Sequence, residues 1–141
     1  MVGAGVGGLA AAGALAHGGW HVTLIEKART HFWKPHLHEL AAGSMDLRVY
    51  ETDYLAQSFW HHFQYRIGEL VGVDRANRRV MVAPFRDEDG DLVTDARAFD
   101  YDTLVIAIGS LTNDFGTPGV HEHAIALETP AAAERFHRRL V

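Results

Sequence analysis

A run of glycines near the start of the chain is the feature that most restricts its fold. Residues 3–8 read Gly-Ala-Gly-Val-Gly-Gly and fit the pattern G-x-G-x-x-G. In this pattern the first glycine permits a tight turn, the second lets a pyrophosphate approach the backbone, and the third allows close packing of a helix on a strand. The following alanine- and leucine-rich residues favour a helix, which Gly18 and Gly19 are expected to end. The pattern predicts a phosphate-binding turn at a helix N-terminus.

An acidic residue follows this turn at the spacing that nucleotide binding requires. Residues 21–26 form a β-rich run that ends in Glu26. In dinucleotide-binding folds, the acid that holds a ribose hydroxyl lies about 20 residues after the turn. Because a carboxylate there repels a 2′-phosphate, we predict an unphosphorylated adenosine, as in FAD or NAD, rather than NADP. The alternatives are a solvated acid at a strand end and a glycine run that serves only tight packing.

The remaining strand-like runs predict a sheet and a meander. Runs at 65–73, 79–84 and 92–99 are separated by polar turns and indicate three antiparallel strands. The apolar run 101–109 ends in glycine and is typical of a strand buried on both faces of a parallel sheet. Together with the helix after the glycine turn, these runs predict an α/β fold in which helices cover one face of the sheet and the meander covers the other.

The other segments are less regular. Residues 27–47 are expected to form an irregular loop, and residues 51–61 a helix. A helix with a basic outer face is expected from Thr129 to Val141. The acidic run 87–91 lacks the ligand spacing of a calcium loop and is interpreted as a solvated hairpin turn. The ten histidines show no zinc spacing, so we expect surface or loop histidines and no metal site.

Composition excludes several classes of protein. A length of 141 residues suits a single domain, and a formal net charge of −5 with interspersed signs gives no nucleic-acid footprint. No apolar stretch approaches the roughly 20 residues that span a bilayer, and no signal peptide is evident, so the chain is expected to be cytoplasmic. The absence of cysteine excludes disulfides, thiolate metal sites and a thiol redox pair.

Three further segments carry a resemblance to a known family. Residues 101–110, Tyr-Asp-Thr-Leu-Val-Ile-Ala-Ile-Gly-Ser, resemble the second fingerprint of the FAD-dependent pyridine nucleotide-disulfide oxidoreductase superfamily. Within it, residues 29–44 and 109–120 resemble the type II NADH:quinone dehydrogenases. The resemblance covers essentially the whole chain. It implies a three-layer FAD/NAD(P)-binding Rossmann-type fold with a parallel sheet and an antiparallel β-meander, in an enzyme that passes electrons from NADH through FAD to quinone without pumping protons.

The resemblance also implies which residues meet the cofactor. Those expected to wrap the FAD pyrophosphate are Ala4, Gly5, Val6, Gly7 and Gly8. Those expected around the adenosine are Glu26 and Lys27 at the ribose and the backbone of Leu70 at the adenine. Those expected near the flavin or closing over the cofactor are Lys34, Pro35, Ala107, Ile108 and Gly109. No catalytic side chain is expected, because the flavin carries the chemistry while the protein supplies binding and orientation.

The family's pattern extends beyond the sequence. Residues 1–141 are expected to be a fragment of the FAD-binding domain, with a truncated first strand, because only two residues precede Gly3. The NADH-binding domain and a C-terminal membrane anchor are expected elsewhere in the parent enzyme. That parent is expected to lie peripherally on the cytoplasmic face of the inner membrane, with NADH and quinone as partners and as a homodimer, while the fragment alone is expected to be inactive.

Two other functions remain open at this point. Disulfide reductases and sulfide:quinone reductases are disfavoured, because both need cysteines that this chain lacks. Another cysteine-free flavoprotein of the same superfamily, with a different electron acceptor, fits the same motifs. A dinucleotide-binding module without redox activity fits the glycine turn and Glu26 alone.

Overall fold

A computed structural model describes residues 1–87 and 89–141. The chain divides into two compact units, of which the first combines Met1–His31 with Asp53–Ile108 and the second combines Phe32–Thr52 with Gly109–Val141. Each unit has a hydrophobic core of its own. Each unit is therefore stabilised by buried apolar residues of its own.

The helices found in the described residues are α1 (Val6–His17), α2 (Leu37–Ala42), α3 (Leu47–Tyr50), α4 (Tyr54–His61), α5 (Val120–His123) and α6 (Pro130–Leu140). The predicted helix after the glycine turn is confirmed as α1, whose C-cap is Gly18. Helix α6 begins where Thr129 accepts a hydrogen bond from the Ala132 amide at 3.2 Å, which satisfies one of the free amides of its first turn. In the two described ranges, no helix is both long enough and apolar enough to span a membrane.

The strands in the same part of the chain are β1 (Thr23–Glu26), β2 (Thr30–His31), β3 (Thr52–Asp53), β4 (Gln64–Ile67), β5 (Leu70–Asp74), β6 (Arg79–Val82), β7 (Phe85–Arg86), β8 (Leu92–Thr94) and β9 (Arg97–Asp100). Strands β1 and β4 are parallel, and Val2 forms parallel bridges to Ile25 and to Ile106. The predicted parallel sheet is thus confirmed in the first unit. Val2 pairs with both β1 and the segment at Ile106, and it directly precedes the glycine turn.

The first unit has three layers, because β1 alternates its side chains between two cores. Leu24, fully buried, packs in a cluster with Ala12 of α1 and with Phe63. Ile25, also buried, points the other way and packs with Val80 and Val82 of β6. Helices therefore cover one face of the parallel sheet and antiparallel strands cover the other, as predicted.

The meander differs from its prediction in how the strands are divided. The run 65–73 splits into β4, which joins the parallel sheet, and β5, which pairs with β6. The run 92–99 splits likewise, because β8 pairs with β7 whereas β9 pairs with β6. The result is a three-stranded antiparallel sheet in the order β5-β6-β9 and a separate hairpin, β7-β8. Alternation of apolar residues marked the strands correctly but could not show which partner each half would take.

Two other expectations are wrong. The run 101–109 is not a strand buried on both faces, because it pairs only through the bridge at Ile106, and the side chains of Ile106 and Ile108 are 55% and 65% exposed. The expected loop 27–47 contains α2, whose Leu37, Leu40 and Ala41 pack in the core of the second unit. Their spacing of three and four residues is that of a helix face, which the neighbouring histidines and aromatics obscured.

The described residues of the acidic run between β7 and β8 have the hydrogen bonds of a turn, as predicted. One carboxylate oxygen of Asp87 accepts hydrogen bonds from the amides of Asp89 at 3.1 Å and of Asp91 at 2.9 Å. Glu88, which also belongs to the run, lies outside the described residues. The carboxylate is therefore engaged by the backbone of its own turn, which is typical of an Asx-type hairpin loop.

The two-sided burial of β1 predicts a large loss on truncation of its inner side chain. Leu24→Ala is expected to lower the free energy of unfolding by about 3 kcal/mol, because it removes apolar contacts and leaves a cavity between sheet and helix. Val71→Ala, at a side chain that is 65% exposed on β5, is the matched control and should cost less than about 1 kcal/mol. Urea unfolding of both variants measures the difference, and equal losses would contradict the described layering.

Candidate functional site

The glycine turn connects Val2, which pairs with two segments of the parallel sheet, to the start of α1. Gly3 has a φ of +91°, and a Cβ there would lie 2.4 Å from the carbonyl oxygen of Ala107. A Cβ on Gly8 would lie 2.1 Å from the carbonyl oxygen of Gly3. The first glycine is therefore needed for its backbone conformation and the third for close packing, as the motif predicts.

The middle of the turn is open. A Cβ built on Gly5 would meet no other atom within 4 Å, and residues 5–7 are exposed. Gly5 is the N-cap of α1, no side chain caps this end of the helix, and the first turn holds no acidic residue. The first amides of a helix have no partner within the helix, and the dipole makes that end positive. The turn thus offers a phosphate both backbone donors and an uncrowded approach.

Glu26 lies directly beside this turn. One of its carboxylate oxygens accepts a hydrogen bond from the Ala4 amide at 2.8 Å. The other accepts from the amides of Lys27 at 2.8 Å and Ala28 at 3.1 Å. Three backbone donors fix the carboxylate at the end of β1, and the predicted proximity of the glycine turn and the strand-terminal acid is what the structure shows.

Tyr54, at the start of α4, was not identified from the sequence. Its hydroxyl donates to the carbonyl oxygen of Ala4 at 2.6 Å in a buried environment, and its ring stacks on Tyr65 with centroids 5.5 Å apart. The Tyr65 hydroxyl in turn donates to the Ala28 carbonyl oxygen at 2.6 Å. The two tyrosines support the same backbone segments that hold Glu26. No local signal could have revealed this, because 50 residues separate Tyr54 from its partner.

Burial around the tyrosines changes their acidity. Burial first, and the negative charge of Glu26 second, raise the pKa of Tyr54 far above its usual range. The same two causes raise the pKa of Tyr65 to about 12. Both hydroxyls remain neutral donors at physiological pH.

The other predicted residues of the first unit surround this arrangement. The Ala107 amide donates to the Val2 carbonyl oxygen at 2.7 Å, and Ile108 follows it with an exposed side chain. The Lys27 ammonium is 3.6 Å from the Glu69 carboxylate, on the surface. Leu70 begins β5 and packs with the core beneath the sheet. All of these belong to the unit that holds the glycine turn and Glu26.

Three predicted residues belong to the second unit. Lys34 and Pro35 open a single 3₁₀ turn, Lys34–His36, and Gly109 has a φ of +75°. Their predicted contact with a flavin stays a prediction. Across residues 1–87 and 89–141, no group of three or more His, Cys, Asp or Glu side chains is placed to hold a metal ion.

Comparison with known proteins identifies the family. The sequence profile described as "Pyridine nucleotide-disulphide oxidoreductase" matches residues 1–141. The chain belongs to this family.

Two curated relatives of this pyridine nucleotide-disulphide oxidoreductase chain have the same name. The type II NADH:quinone oxidoreductase of Haemophilus influenzae is 42% identical over 120 residues, which cover 85% of this chain and 27% of the relative. A protein of the same name from Staphylococcus epidermidis is 30% identical over 84% of this chain and 27% of the relative. The chain therefore spans about a quarter of the length of these relatives.

Comparison with solved structures establishes the fold. The sulfide:quinone oxidoreductase of Aquifex aeolicus has a TM-score of 0.82 at 23% identity, covering 99% of this chain and 30% of that one. NDH2 of Plasmodium falciparum in complex with NADH has a TM-score of 0.70 at 21% identity, covering 85% of this chain and 24% of that one. The predicted FAD/NAD(P)-binding Rossmann-type fold is thus confirmed.

The glycines should respond differently to the same substitution. Gly8→Ala gains about 1 kcal/mol of helix propensity. The new Cβ would lie 2.1 Å from the carbonyl oxygen of Gly3. Relieving this overlap costs up to about 3 kcal/mol, so Gly8→Ala is expected to lower the free energy of unfolding overall. Gly5→Ala, where the space is open, should change stability by less than about 1 kcal/mol. Thermal and urea unfolding test this, and a Gly5→Ala loss as large as that of Gly8→Ala would contradict the geometry of the turn.

The tyrosine pair predicts a loss of stability at high pH. Because folding raises the pKa of Tyr65 to about 12 from an ordinary 10.0, its contribution to stability is complete below pH 10 and is lost between pH 10 and 12, as the unfolded state gives up its proton first. Tyr65→Phe should make this decline shallower, whereas Tyr50→Phe, at an exposed tyrosine, should leave it unchanged. Urea midpoints measured from pH 8 to pH 12 check the sign.

Proposed function

We propose that this chain provides the FAD-binding part of a non-proton-pumping type II NADH:quinone oxidoreductase. The observation that carries the proposal is the hydrogen bond between the Ala4 amide and the Glu26 carboxylate at 2.8 Å. It places a carboxylate that can accept a hydrogen bond from a ribose hydroxyl next to backbone amides that can donate to a phosphate. A nucleotide diphosphate needs both functions next to each other.

The residues of the first unit fit the ADP half of FAD. The exposed amides at the start of α1 suit the pyrophosphate, and the absence of a side chain at Gly5 leaves room for it. Each carboxylate oxygen can accept about two hydrogen bonds, and the oxygen of Glu26 that faces Ala4 has one donor among the described residues. It therefore keeps the capacity to accept a ribose hydroxyl.

The Glu26 carboxylate also affects which nucleotides this site can bind. A 2′-phosphate placed at the ribose would bring a second anion against Glu26, which disfavours NADP-type nucleotides. Lys27 cannot fully offset this repulsion, because its ammonium is highly exposed and already lies near Glu69. The site therefore favours an unphosphorylated adenosine such as that of FAD.

The names of the relatives support NADH as electron donor and quinone as acceptor. The relative that is 42% identical is named a type II NADH:quinone oxidoreductase. The chain has no cysteine, which argues against the thiol-dependent chemistry of disulfide reductases and sulfide:quinone reductases. When bound, FAD would accept a hydride from NADH and pass electrons to the quinone, while this chain binds and orients it.

The proposal extends to parts of the protein that the two units do not contain. Lys34, Pro35 and Gly109 are assigned to the flavin end of the cofactor. The NADH-binding domain and the membrane-attachment segment are assigned to other parts of the protein, which we place peripherally on the cytoplasmic face of the inner membrane as a homodimer. Peripheral attachment suits an enzyme whose donor is water-soluble and whose acceptor is lipid-soluble.

Binding of FAD by the purified chain, together with any in-frame coding sequence on either side, tests the site. Glu26→Gln is expected to weaken FAD binding by roughly tenfold, since a charge-assisted hydrogen bond to the ribose is lost. Glu69→Gln, an exposed acid that contacts Lys27, is the matched control and should bind FAD like the original protein. Isothermal titration calorimetry with FAD and with FMN, which lacks the adenosine, measures both affinities.

The outcome separates the proposed site from its alternatives. FAD binding that Glu26→Gln weakens, and FMN binding that the variant leaves unchanged, support an adenosine contact at Glu26. Equal FAD affinity of the two variants would refute it. Saturable NAD binding with no flavin in the purified protein would favour the module without redox activity.

Activity of the same protein tests the acceptor. NADH oxidation by this protein should depend on an added quinone. A higher rate with a soluble acceptor than with any quinone would favour the other cysteine-free flavoproteins.

A further inference from the structure

Two histidines distant in sequence meet at the ends of neighbouring helices in the first unit. His17 is in the last turn of α1 and His61 in the last turn of α4. The Nε2 atom of His17 and the Nδ1 atom of His61 form an N–H···N hydrogen bond of 3.3 Å, with ring centroids 5.5 Å apart and planes at 87°. A Cβ on Gly13 would be 3.6 Å from the His61 ring, an ordinary van der Waals distance, so the His61 side chain lies directly against α1.

We propose that His17 and His61 bind a divalent transition-metal ion, with Zn²⁺ as the best fit. Zn²⁺ binds histidine nitrogen at about 2.0–2.1 Å, so two nitrogens of a tetrahedral site lie about 3.3–3.4 Å apart. The observed separation of 3.3 Å matches this edge, so the ion would take the place of the proton that lies between the two nitrogens. Two ligands at right angles, as in an octahedral or square-planar site, would be about 2.9 Å apart at the same bond length.

The helix ends add a second reason for a cation here. The last carbonyls of a helix carry the negative end of its dipole, which stabilises positive charge nearby. Helices α1 and α4 both end at this pair of histidines, so two negative ends converge on one place. His62, the residue that follows α4, has its ring centroid 5.7 Å from that of His17 and adds a further imidazole nearby.

The coordination would be incomplete on the protein side. Within the described residues no set of three ligands is assembled, so water would fill the remaining positions. His17 is exposed and His61 partly so, which allows the ion to enter and leave. The site lies at the opposite end of α1 from the glycine turn, about 16 Å along the helix axis. It is therefore separate from the proposed cofactor site.

Titration of the purified protein with ZnCl₂ at pH 7.5 tests the proposal. One saturable equivalent is expected, and His17→Gln and His61→Gln should each weaken it at least tenfold. His21→Gln, an exposed histidine of the same unit outside the pair, is the control and should keep the affinity. Circular dichroism melts establish that each variant is folded, and bound Zn²⁺ should raise the melting temperature of the original protein but not of His17→Gln.

Cobalt provides a readout of geometry. Co²⁺ bound at the pair should give the intense visible absorption of a tetrahedral ion, and His61→Gln should abolish it. An octahedral Co²⁺ spectrum, Zn²⁺ affinity unchanged in His17→Gln, or an equal loss in His21→Gln would each overturn the proposal. Since FAD plays no part in these measurements, their result does not depend on the proposed function.

Discussion

The hydrogen bond from the Ala4 amide to Glu26 is the contact on which the rest of the site depends. It joins the glycine turn to the end of β1, and the two bonded residues are 22 positions apart in the sequence. Tyr54 completes the arrangement from the other side, because its hydroxyl donates to the Ala4 carbonyl oxygen. Both backbone polar groups of the buried residue Ala4 are thereby hydrogen-bonded, which fixes the turn more firmly than either contact alone. A rigid turn can present its amides to an anion without reorganising.

The sequence could predict the parts of this site that are set locally. Gly3 is needed for the positive φ of the turn, Gly8 is needed because the helix approaches the turn within six residues, and Glu26 ends a strand that begins soon after the helix. Tyr54 depends on a partner 50 residues away, and its position at the start of a helix has no special pattern. Local chemistry therefore gives the donors and the acceptor of the site, while the groups that hold them in place come from tertiary packing.

The errors in the fold have the same origin. An apolar run such as 101–109 predicts burial only if other elements cover it, and the exposed side chains of Ile106 and Ile108 show that the first unit does not do so. The runs 65–73 and 92–99 each contain enough β-forming residues for one long strand. Each divides because its two halves find different partners, and strand pairing is decided by the whole sheet rather than by the run itself.

The two ends of helix α1 favour ligands of opposite charge. Its small residues let Gly8 pack against the turn and let Gly13 accept the His61 ring, so both ends are held close to their neighbours. The aligned peptide dipoles make the N-terminus positive and the C-terminus negative. The uncapped N-terminus beside Glu26 therefore favours the phosphates of a nucleotide, and the C-terminus beside α4 favours a cation between two imidazoles. The same alanine- and glycine-rich composition that makes the helix pack closely thus serves both sites, since a Cβ at position 8 would collide with the carbonyl oxygen of Gly3 and Gly13 lies within contact distance of the His61 ring.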